Sequence, residues 1–495
     1  MKLNLFKLFV LLALPFATAS AADVNMKFGK PTKEEMQMTV YEADPKAEAV
    51  ILCRLTDVEY TVQLNGYLVD YREKFRIKVL KPEGAQYAKV TIPYNKNVSR
   101  GAGNSGSKLS LQALAVGVSQ ISSTFEGMGG SMTENTLDNY TDEGVEDIKG
   151  TAFNLEGSKV VKTSLKKSDI KNTKIDDQHY MVEFTVPGVK EGSVVEIEYT
   201  IHSELFWQLR DWYAQCSIPV VYAKLDMNIP NYLLFNIEEQ GVQQRLSCTC
   251  NTGMMRYKLE SDPLAAPVIA NTNHYVCVGR DLVAIPKIDG MWNVNDYCAG
   301  ITAELRRFSV RGNMMTDYAQ TWDQVDKLIL DSDDFGKHLS DHSPLADDMN
   351  AAGIKDIEDL RQRISAVTKL VMGKVKWNGK YDLTPVSVSE TLKKGEGSNA
   401  DINLLLIQSL RDAGLSASPV LLRTRDLGML PYNFPSVRKI STYLVGVVLP
   451  SGKVYLDASS ATGDINDLPS VMQVERARMI QKGRKGEFVN LQKLN

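Results

Sequence analysis

The chain has 495 residues, and its 57 lysines and arginines nearly balance its 60 aspartates and glutamates, giving a formal net charge of −3. This balance gives no reason to expect a nucleic-acid partner or an anionic membrane surface. At roughly 150 residues per domain, the length suggests about three domains.

The N-terminus has the pattern of a cleaved secretory signal peptide over residues 1–21. Residues 1–7 are basic, residues 8–16 are almost wholly apolar, and small residues follow at 17–22. The apolar run is shorter than the roughly 20 residues that span a bilayer, so a membrane anchor is the weaker interpretation. We therefore expect an exported protein, periplasmic or extracellular, with no transmembrane segment in the mature chain.

None of the six cysteines lies in the C-terminal third of the chain. Export permits disulfides, but the spacing leaves their pairing open. Cys248 and Cys250 would share one face of a strand. A metal site there would need a clearer second pair of ligands. We favour structural cysteines, free or partly paired, and expect no metal and no cofactor. The cysteines are Cys53, Cys216, Cys248, Cys250, Cys277 and Cys298.

Residues 22–310 have the pattern of an all-β sandwich region. Polar and apolar residues alternate over 49–52, 59–64 and 71–80, and Asn65-Gly66 is a hairpin turn. A glycine-rich interruption at 99–139 is predicted to be an insertion with one helix. Short strands with regular turn signals favour a sandwich, and they are predicted at 150–157, 160–163, 180–186, 193–201, 223–229, 233–239, 255–259 and 303–310.

Near residue 321 the apolar period changes to that of a helix. Helices are predicted at 322–329, 357–373 and 399–413. Strands then follow at 417–422, 442–449 and 453–457. Helices followed by an antiparallel sheet indicate an α+β domain, which we place at residues 311–495.

His338 and His342 stand four residues apart in an acidic stretch between the first two of these helices. On a helix the two histidines would share a face and would suit zinc binding. Gly336, Ser343 and Pro344 interrupt that pattern. We therefore favour a solvated acidic connection over a metal site.

The segment at 394–415 runs from a glycine-rich loop into an apolar helix that ends in Ala-Gly-Leu. It resembles the segment of transglutaminase-like and related papain-type proteins that delivers the nucleophile, whose pattern is Gly-x-Cys-x-Asp. When the segment is aligned on Asp401, the cysteine position falls on Asn399. An amide cannot replace it, because covalent catalysis needs a thiolate, alkoxide, amine or carboxylate.

The strands that follow extend the resemblance. The family's histidine position falls on Tyr443, and residues 453–459 resemble its Tyr-x-Leu-Asp-Pro-Thr ending, which puts Asp457 at the carboxylate that orients the histidine. A phenol with a pKa near 10 is a poor base at neutral pH. No cysteine follows Cys298 and no histidine follows His342. The resemblance therefore implies a transglutaminase-like domain without an intact catalytic triad.

The preceding region resembles the N-terminal domain of unknown function that precedes transglutaminase-like domains in many bacterial exported proteins. Residues 150–157 and 192–199, Trp212 and the step at 218–220 carry this resemblance. It implies a β-sandwich and supplies no known chemistry.

A cleft beside the nucleophile position is a further expectation. Aromatic residues of two loops would line it together with the start of the helix. Two other interpretations stay open, which are ordinary loop packing and helix capping by a serine or asparagine with an acid in the first turn. The expected cleft residues are Trp377, Gly397, Ser398, Asp401, Tyr432 and Phe434.

These observations support three hypotheses about function. The first is a non-catalytic transglutaminase-like protein whose ancestral cleft binds a peptide, protein or cell-envelope ligand. The second is an exported amide hydrolase or acyltransferase of the cysteine-protease type with a non-standard site, such as Ser398 with His338 or His342. The third is a structural β-sandwich interaction module. The sequence leaves the oligomeric state open.

Overall fold

The structure is a computed structural model. It describes residues 27–63, 66–96, 98–99, 140–176, 178–241, 244–257, 268–286, 288–289, 291–310, 314–317, 321–492 and 494. The predicted signal peptide lies outside these residues, as does the predicted insertion helix. Among the described residues, no helix combines the length and apolar character that crossing a bilayer requires.

The first part of the chain is built almost wholly from strands. A short helix, α1 (Lys33–Gln37), precedes them. The strands are β1 (Ala49–Gln63), β2 (Gly66–Val79), β3 (Lys89–Asn95), β4 (Val98–Ser99), β5 (Tyr140–Thr141), β6 (Glu143–Glu156), β7 (Lys159–Ser164), β8 (Lys171–Lys174), β9 (His179–Thr185), β10 (Val194–Ser203), β11 (Trp212–Tyr213), β12 (Val220–Pro230), β13 (Leu233–Gln240), β14 (Ser247–Tyr257), β15 (Val268–Leu282), β16 (Gly300–Val310) and β17 (Met314–Asp317).

The largest sheet has eight strands in the order β14-β15-β12-β1-β2-β10-β6-β7. All its neighbours are antiparallel except β1 and β12, which run parallel. A four-stranded sheet, β11-β16-β13 with β17 on β16, and a three-stranded sheet, β3-β9-β8, share its hydrophobic core. Alternating sequences let most of these strands present apolar side chains to that shared core and polar ones to solvent.

One disulfide lies at the end of the large sheet. Cys248 on β14 bonds Cys277 on β15, and the two residues are directly opposite each other. The other four cysteines, Cys53, Cys216, Cys250 and Cys298, are free thiols.

The second part of the chain combines helices with an antiparallel sheet. Its helices are α2 (Trp322–Leu330), α3 (Ala346–Ala351), α4 (Leu360–Lys374), α5 (Val388–Lys394) and α6 (Asn399–Asp412). Its strands are β18 (Lys376–Trp377), β19 (Glu396–Gly397), β20 (Ser416–Leu422), β21 (Thr442–Leu449), β22 (Gly452–Leu456), β23 (Ala477–Met479) and β24 (Glu487–Val489). Short three-ten helices lie at Gly336–Ser340 and Ile354–Asp356, among other places.

Helix α6 is the central element of this part. Every residue from Asn399 to Leu410 is buried, because the helix lies between α4 on one side and β20 and β21 on the other. The sheet has the order β22-β21-β20-β23-β24, and one of its faces shares a hydrophobic core with the helices. A helix buried on all sides must satisfy its own polar side chains internally. This requirement decides the chemistry at its N-terminus.

Candidate functional site

The N-terminus of α6 is closed by a reciprocal capping box. Ser398 is the N-cap and its Oγ accepts a hydrogen bond from the Asp401 N–H, while the Asp401 carboxylate accepts from the Ser398 N–H at 2.8 Å. The Ser398 hydroxyl also donates to Asp401 at 2.8 Å. A Cβ at Gly397 would lie 2.8 Å from a Thr391 methyl and 2.9 Å from the Asp401 Cβ. The glycine is therefore needed for α5 and the start of α6 to approach each other.

Asn399, at the expected nucleophile position, is fully buried with its amide group satisfied. Its Nδ2 donates to the Thr442 hydroxyl at 2.5 Å and to the Tyr443 carbonyl at 3.0 Å. Its Oδ1 accepts from the Asp382 N–H at 2.9 Å, and its own N–H donates to the Lys380 carbonyl at 3.1 Å. The side chain therefore joins the helix to a strand and to a loop, and its atoms do not reach solvent.

Residues 378–386 form a covering segment over this end of α6. Asp382 is held by Asn399 and also by the Thr442 hydroxyl, which donates to its carbonyl at 3.0 Å. Val386 donates its N–H to the Asp401 carboxylate at 2.6 Å. Polar groups that would face a substrate in an open cleft are bonded to this segment instead. A ligand that reached Asn399 would have to displace it and break these hydrogen bonds.

Asn403 was not singled out by the sequence and is a central residue of the site. It lies one turn after Asn399, and its Nδ2 donates to the same Tyr443 carbonyl at 3.1 Å and to the Asp457 carboxylate at 3.0 Å. Its Oδ1 accepts from the Ala458 N–H at 3.0 Å. A polar residue four positions after Asn399 in an otherwise apolar run was the available signal, because i and i+4 side chains share a helix face.

Tyr443 does not place its side chain against Asn399. Its hydroxyl donates to the Ala400 carbonyl at 2.5 Å, and its ring packs on Phe335 with the ring centres 4.8 Å apart. Only its main-chain carbonyl meets the asparagine amides. Burial raises the pKa of Tyr443 well above its ordinary value. The strand side chain that does meet Asn399 is Thr442, one residue earlier, so the expected histidine position is out of step by one residue.

Asp457 is fully buried directly after β22. Its carboxylate accepts hydrogen bonds from Asn403, from the Ser459 N–H at 3.1 Å and from the Ser459 hydroxyl at 2.7 Å. Burial raises its pKa, and the hydrogen bonds from Ser459 and Asn403 partly oppose that rise. The structure therefore links the three expected triad positions through Asn403 and the Tyr443 carbonyl.

The alternative pairing of Ser398 with a histidine is not formed. His338 contacts Asp341 at 2.6 Å, and His342 contacts Asp412 at 2.9 Å. Asp412 is the last residue of α6, and fourteen residues at 1.5 Å each separate it by about 20 Å from the Ser398 end. Nucleophile and base need contact at about 2.6–3.2 Å. The structure therefore pairs both histidines with other acids and not with Ser398.

The aromatic residues expected to line one cleft are distributed over different surfaces. Trp377 is 39% exposed and packs on Tyr381 with ring centres 5.0 Å apart. Tyr432 packs on Phe488, and the Arg476 guanidinium lies over its ring at 4.3 Å. Phe434 lines a second cleft, away from the covering segment, between the β region and the loop that follows β20.

We call this second cleft the inter-region cleft. It encloses about 590 Å³, including its opening to solvent. One wall is the sheet of β11, β13 and β16, and the other is the loop between β20 and β21. Its lining is strongly polar and includes Asp211, Glu238, Asp296, Glu304, Arg423, Lys439, Tyr213, Asn236, Gln240, Asn295 and Phe434.

Hydrogen bonds and ion pairs hold the two walls of the inter-region cleft together. Asp296 accepts from the Met429 N–H at 3.1 Å, and Gly428, with φ +107°, has no room for a Cβ beside that carboxylate. Lys439 pairs with Asp211 at 3.3 Å, and the Ser436 hydroxyl donates to Glu304 at 2.6 Å.

The acids of the inter-region cleft are incompletely compensated. Burial raises the pKa of Glu238 and of Asp296, with Lys439 and the Met429 N–H opposing the rise. One Glu304 carboxylate oxygen is buried and accepts no hydrogen bond from the residues that the structure describes. Of the site residues predicted from the sequence, only Phe434 lines this cleft. The reason is that the walls of the cleft come from segments about 200 residues apart in the chain.

No protein-family model matches the chain, and no curated protein matches it either. Among solved structures, a "putative protease" from Parabacteroides distasonis is 12% identical with a TM-score of 0.49, over 90% of this chain and 72% of that chain. A "putative cysteine protease" from Cytophaga hutchinsonii is 14% identical with a TM-score of 0.20, over 51% of this chain and 75% of that chain. These similarities are too weak to assign a family or an activity.

Replacing Asn399 tests its role as a buried connector. We expect Asn399→Ala to lower the free energy of unfolding by about 2–3 kcal/mol, because it leaves buried hydrogen-bonding groups without partners. Asn399→Asp should cost more, since it sets a carboxylate oxygen against the Tyr443 carbonyl. The measurement is urea unfolding followed by limited proteolysis of residues 378–386. The control is Asn378→Ala, an exposed asparagine of the same segment; equal effects of the two alanine variants would contradict the role.

Asp457 should give the stability a specific pH dependence. Its pKa is higher in the folded chain than in the unfolded one, so the folded state binds more protons and stability falls as pH rises from about 3.9 through the folded pKa. Asp457→Asn keeps an acceptor for Asn403 and removes this fall. We expect the stability of wild type relative to the variant to decrease across that window and then level off. Exposed Asp464→Asn is the control; a pH-independent difference for Asp457→Asn would contradict the assignment.

Proposed function

We propose that this chain is an exported, non-catalytic protein with a transglutaminase-like core that binds a peptide, protein or cell-envelope ligand. One observation carries the non-catalytic part. The position where the family resemblance expects a nucleophile holds an asparagine that is fully buried and whose amide atoms are all hydrogen-bonded. The amide of Asn399 supplies neither a nucleophile nor a general base, and acyl transfer needs both.

The ligand site favoured by the geometry is the inter-region cleft and not the ancestral one. The ancestral position lies under residues 378–386, whereas the inter-region cleft opens to solvent. Its walls are fixed by Asp296 and Glu304, which both hold the opposite loop. Its acids outnumber its bases, so the fitting ligand carries amine or other hydrogen-bond donor groups, such as a peptide with a basic side chain.

The enzyme hypothesis is tested by activity assays. We expect wild type to show no amine incorporation and no peptide hydrolysis above background. Asn399→Cys combined with Thr442→His, and Asn399→Cys with Tyr443→His, should also be inactive, because the covering segment blocks the position and Tyr443 faces the core. Both double variants need circular dichroism to show that they fold. Turnover by wild type would overturn the non-catalytic proposal, and turnover by a folded double variant would show that substrate reaches position 399.

The binding site is tested by thermal shift with two probe sets. One set contains short peptides that carry either lysine or glutamate, and the other contains soluble cell-wall fragments. A bound ligand at 100 times its Kd stabilises by about 2.7 kcal/mol, a measurable rise in Tm. We expect a shift with amine-bearing probes that Glu238→Gln reduces. Glu390→Gln, at an exposed site on α5, is the matched control. A shift that Glu238→Gln fully retains would place the ligand elsewhere on the protein.

A further inference from the structure

Strand β14 is unusual because it buries no face. Among the residues that the structure describes, it is the end strand of the eight-stranded sheet and its one partner is β15. All residues from 247 to 254 are exposed, although the strand is regular. A sheet strand ordinarily buries one face, which supplies most of the free energy that holds it. Burial therefore does not explain why β14 is ordered.

A covalent bond takes the place of that burial. The disulfide between Cys248 and Cys277 ties β14 to β15, and it closes a loop with a sequence separation of 29 residues. A bond across a loop of this length stabilises the folded chain by restricting the conformations of the unfolded one. The disulfide therefore keeps the solvent-exposed strand β14 paired with β15. The opposite edge of β14 stays free.

The backbone N–H and C=O groups along the free edge of β14 point away from β15. The Cα atoms of Cys248 and Cys277 are 4.1 Å apart, the spacing of a non-hydrogen-bonded antiparallel pair. Residues at such positions turn their N–H and C=O groups away from the partner strand. Cys248, Cys250 and Thr252 therefore present donors and acceptors along the edge opposite β15, the groups that pair when another strand is added.

The two edge strands of the eight-stranded sheet differ in how well their charged residues prevent pairing with another chain. The opposite end strand, β7, carries exposed Lys159 and Lys162, and four more exposed lysines follow it at 166, 167, 171 and 174. Lysines on an edge strand repel a second copy and prevent edge pairing. Strand β14 has no lysine, acid or proline, and its one charged residue is Arg256 near its end. Two β14 strands therefore meet without like-charge repulsion over most of their length.

We infer that β14 is a dimerisation edge, on which a second copy of this chain adds its own β14 in antiparallel orientation. A two-fold axis perpendicular to the sheet joins two eight-stranded sheets into one continuous sheet and keeps equivalent residues on the same face. The free, exposed thiol of Cys250 lies near the middle of the strand. This inference is independent of the proposed ligand site and of the loss of catalysis.

The experiment combines molar mass with site-specific cross-linking of the full mature chain. Size-exclusion chromatography with light scattering should give a dimer, and a short bis-maleimide should join the two copies through Cys250, with the product lost in Cys250→Ser. Thr252→Lys should weaken the dimer at least tenfold by adding the charge that β7 has. Thr252→Pro should do the same by removing an outward N–H that β15 does not use. Ser164→Lys, on β7, is the charge-matched control and should leave the dimer unchanged.

Each outcome decides the inference. Loss of the dimer in both Thr252 variants, with retention in Ser164→Lys and circular dichroism unchanged, supports it. A wild-type monomer up to high micromolar concentration overturns it, as does a dimer that Thr252→Lys leaves intact. If Thr252→Pro unfolds, Thr252→Lys and the Cys250 cross-link still decide.

Discussion

Two asparagines one helical turn apart hold the α+β part of this protein together. Asn399 and Asn403 both donate to the Tyr443 carbonyl, and their remaining amide atoms reach Asp382, Thr442, Asp457 and Ala458. Helix α6, strand β21, the end of β22 and the covering segment therefore meet at one buried polar network. Such a network stabilises only when every member is satisfied, and here both amides are. The occlusion of the N-terminus of α6 follows directly from it.

The same geometry indicates that a thiol introduced at position 399 would not by itself gain access to a substrate. A catalytic thiol at position 399 needs solvent access for its substrate and a base within hydrogen-bond reach. The covering segment is bonded to Asn399 and to Asp401, so replacing Asn399 removes one connection and leaves the other. Tyr443 is directed toward Ala400 and Phe335 in the core, which leaves Thr442 as the only neighbouring strand side chain at the amide. Access to position 399 is therefore limited by the covering segment and by strand register as well as by residue identity.

How much of the fold and of the site could be predicted from the sequence depends on how far apart in the chain the interacting residues lie. Local signals placed α2, α4 and α6 and about half of the strands within a few residues, and capping of the helix by Ser398 or Asn399 was among the open interpretations. Periodicity also marked α6 as apolar. It carries no information on which distant loop covers a helix end, so residues 378–386 and the role of Asn403 were missed. The one-residue difference between Tyr443 and Thr442 arises because strand register depends on partners outside the strand.

The position of the inter-region cleft follows from what the buried network leaves free. With the N-terminus of α6 closed, the loop between β20 and β21 is the surface of the core that meets the β region. Its contacts to Asp211, Asp296 and Glu304 are all polar. A polar interface of this kind leaves some hydrogen-bond acceptors at its edge without donors. The buried Glu304 carboxylate oxygen is one of these acceptors among the described residues. These polar contacts leave a cleft lined by acidic and basic side chains between the two regions.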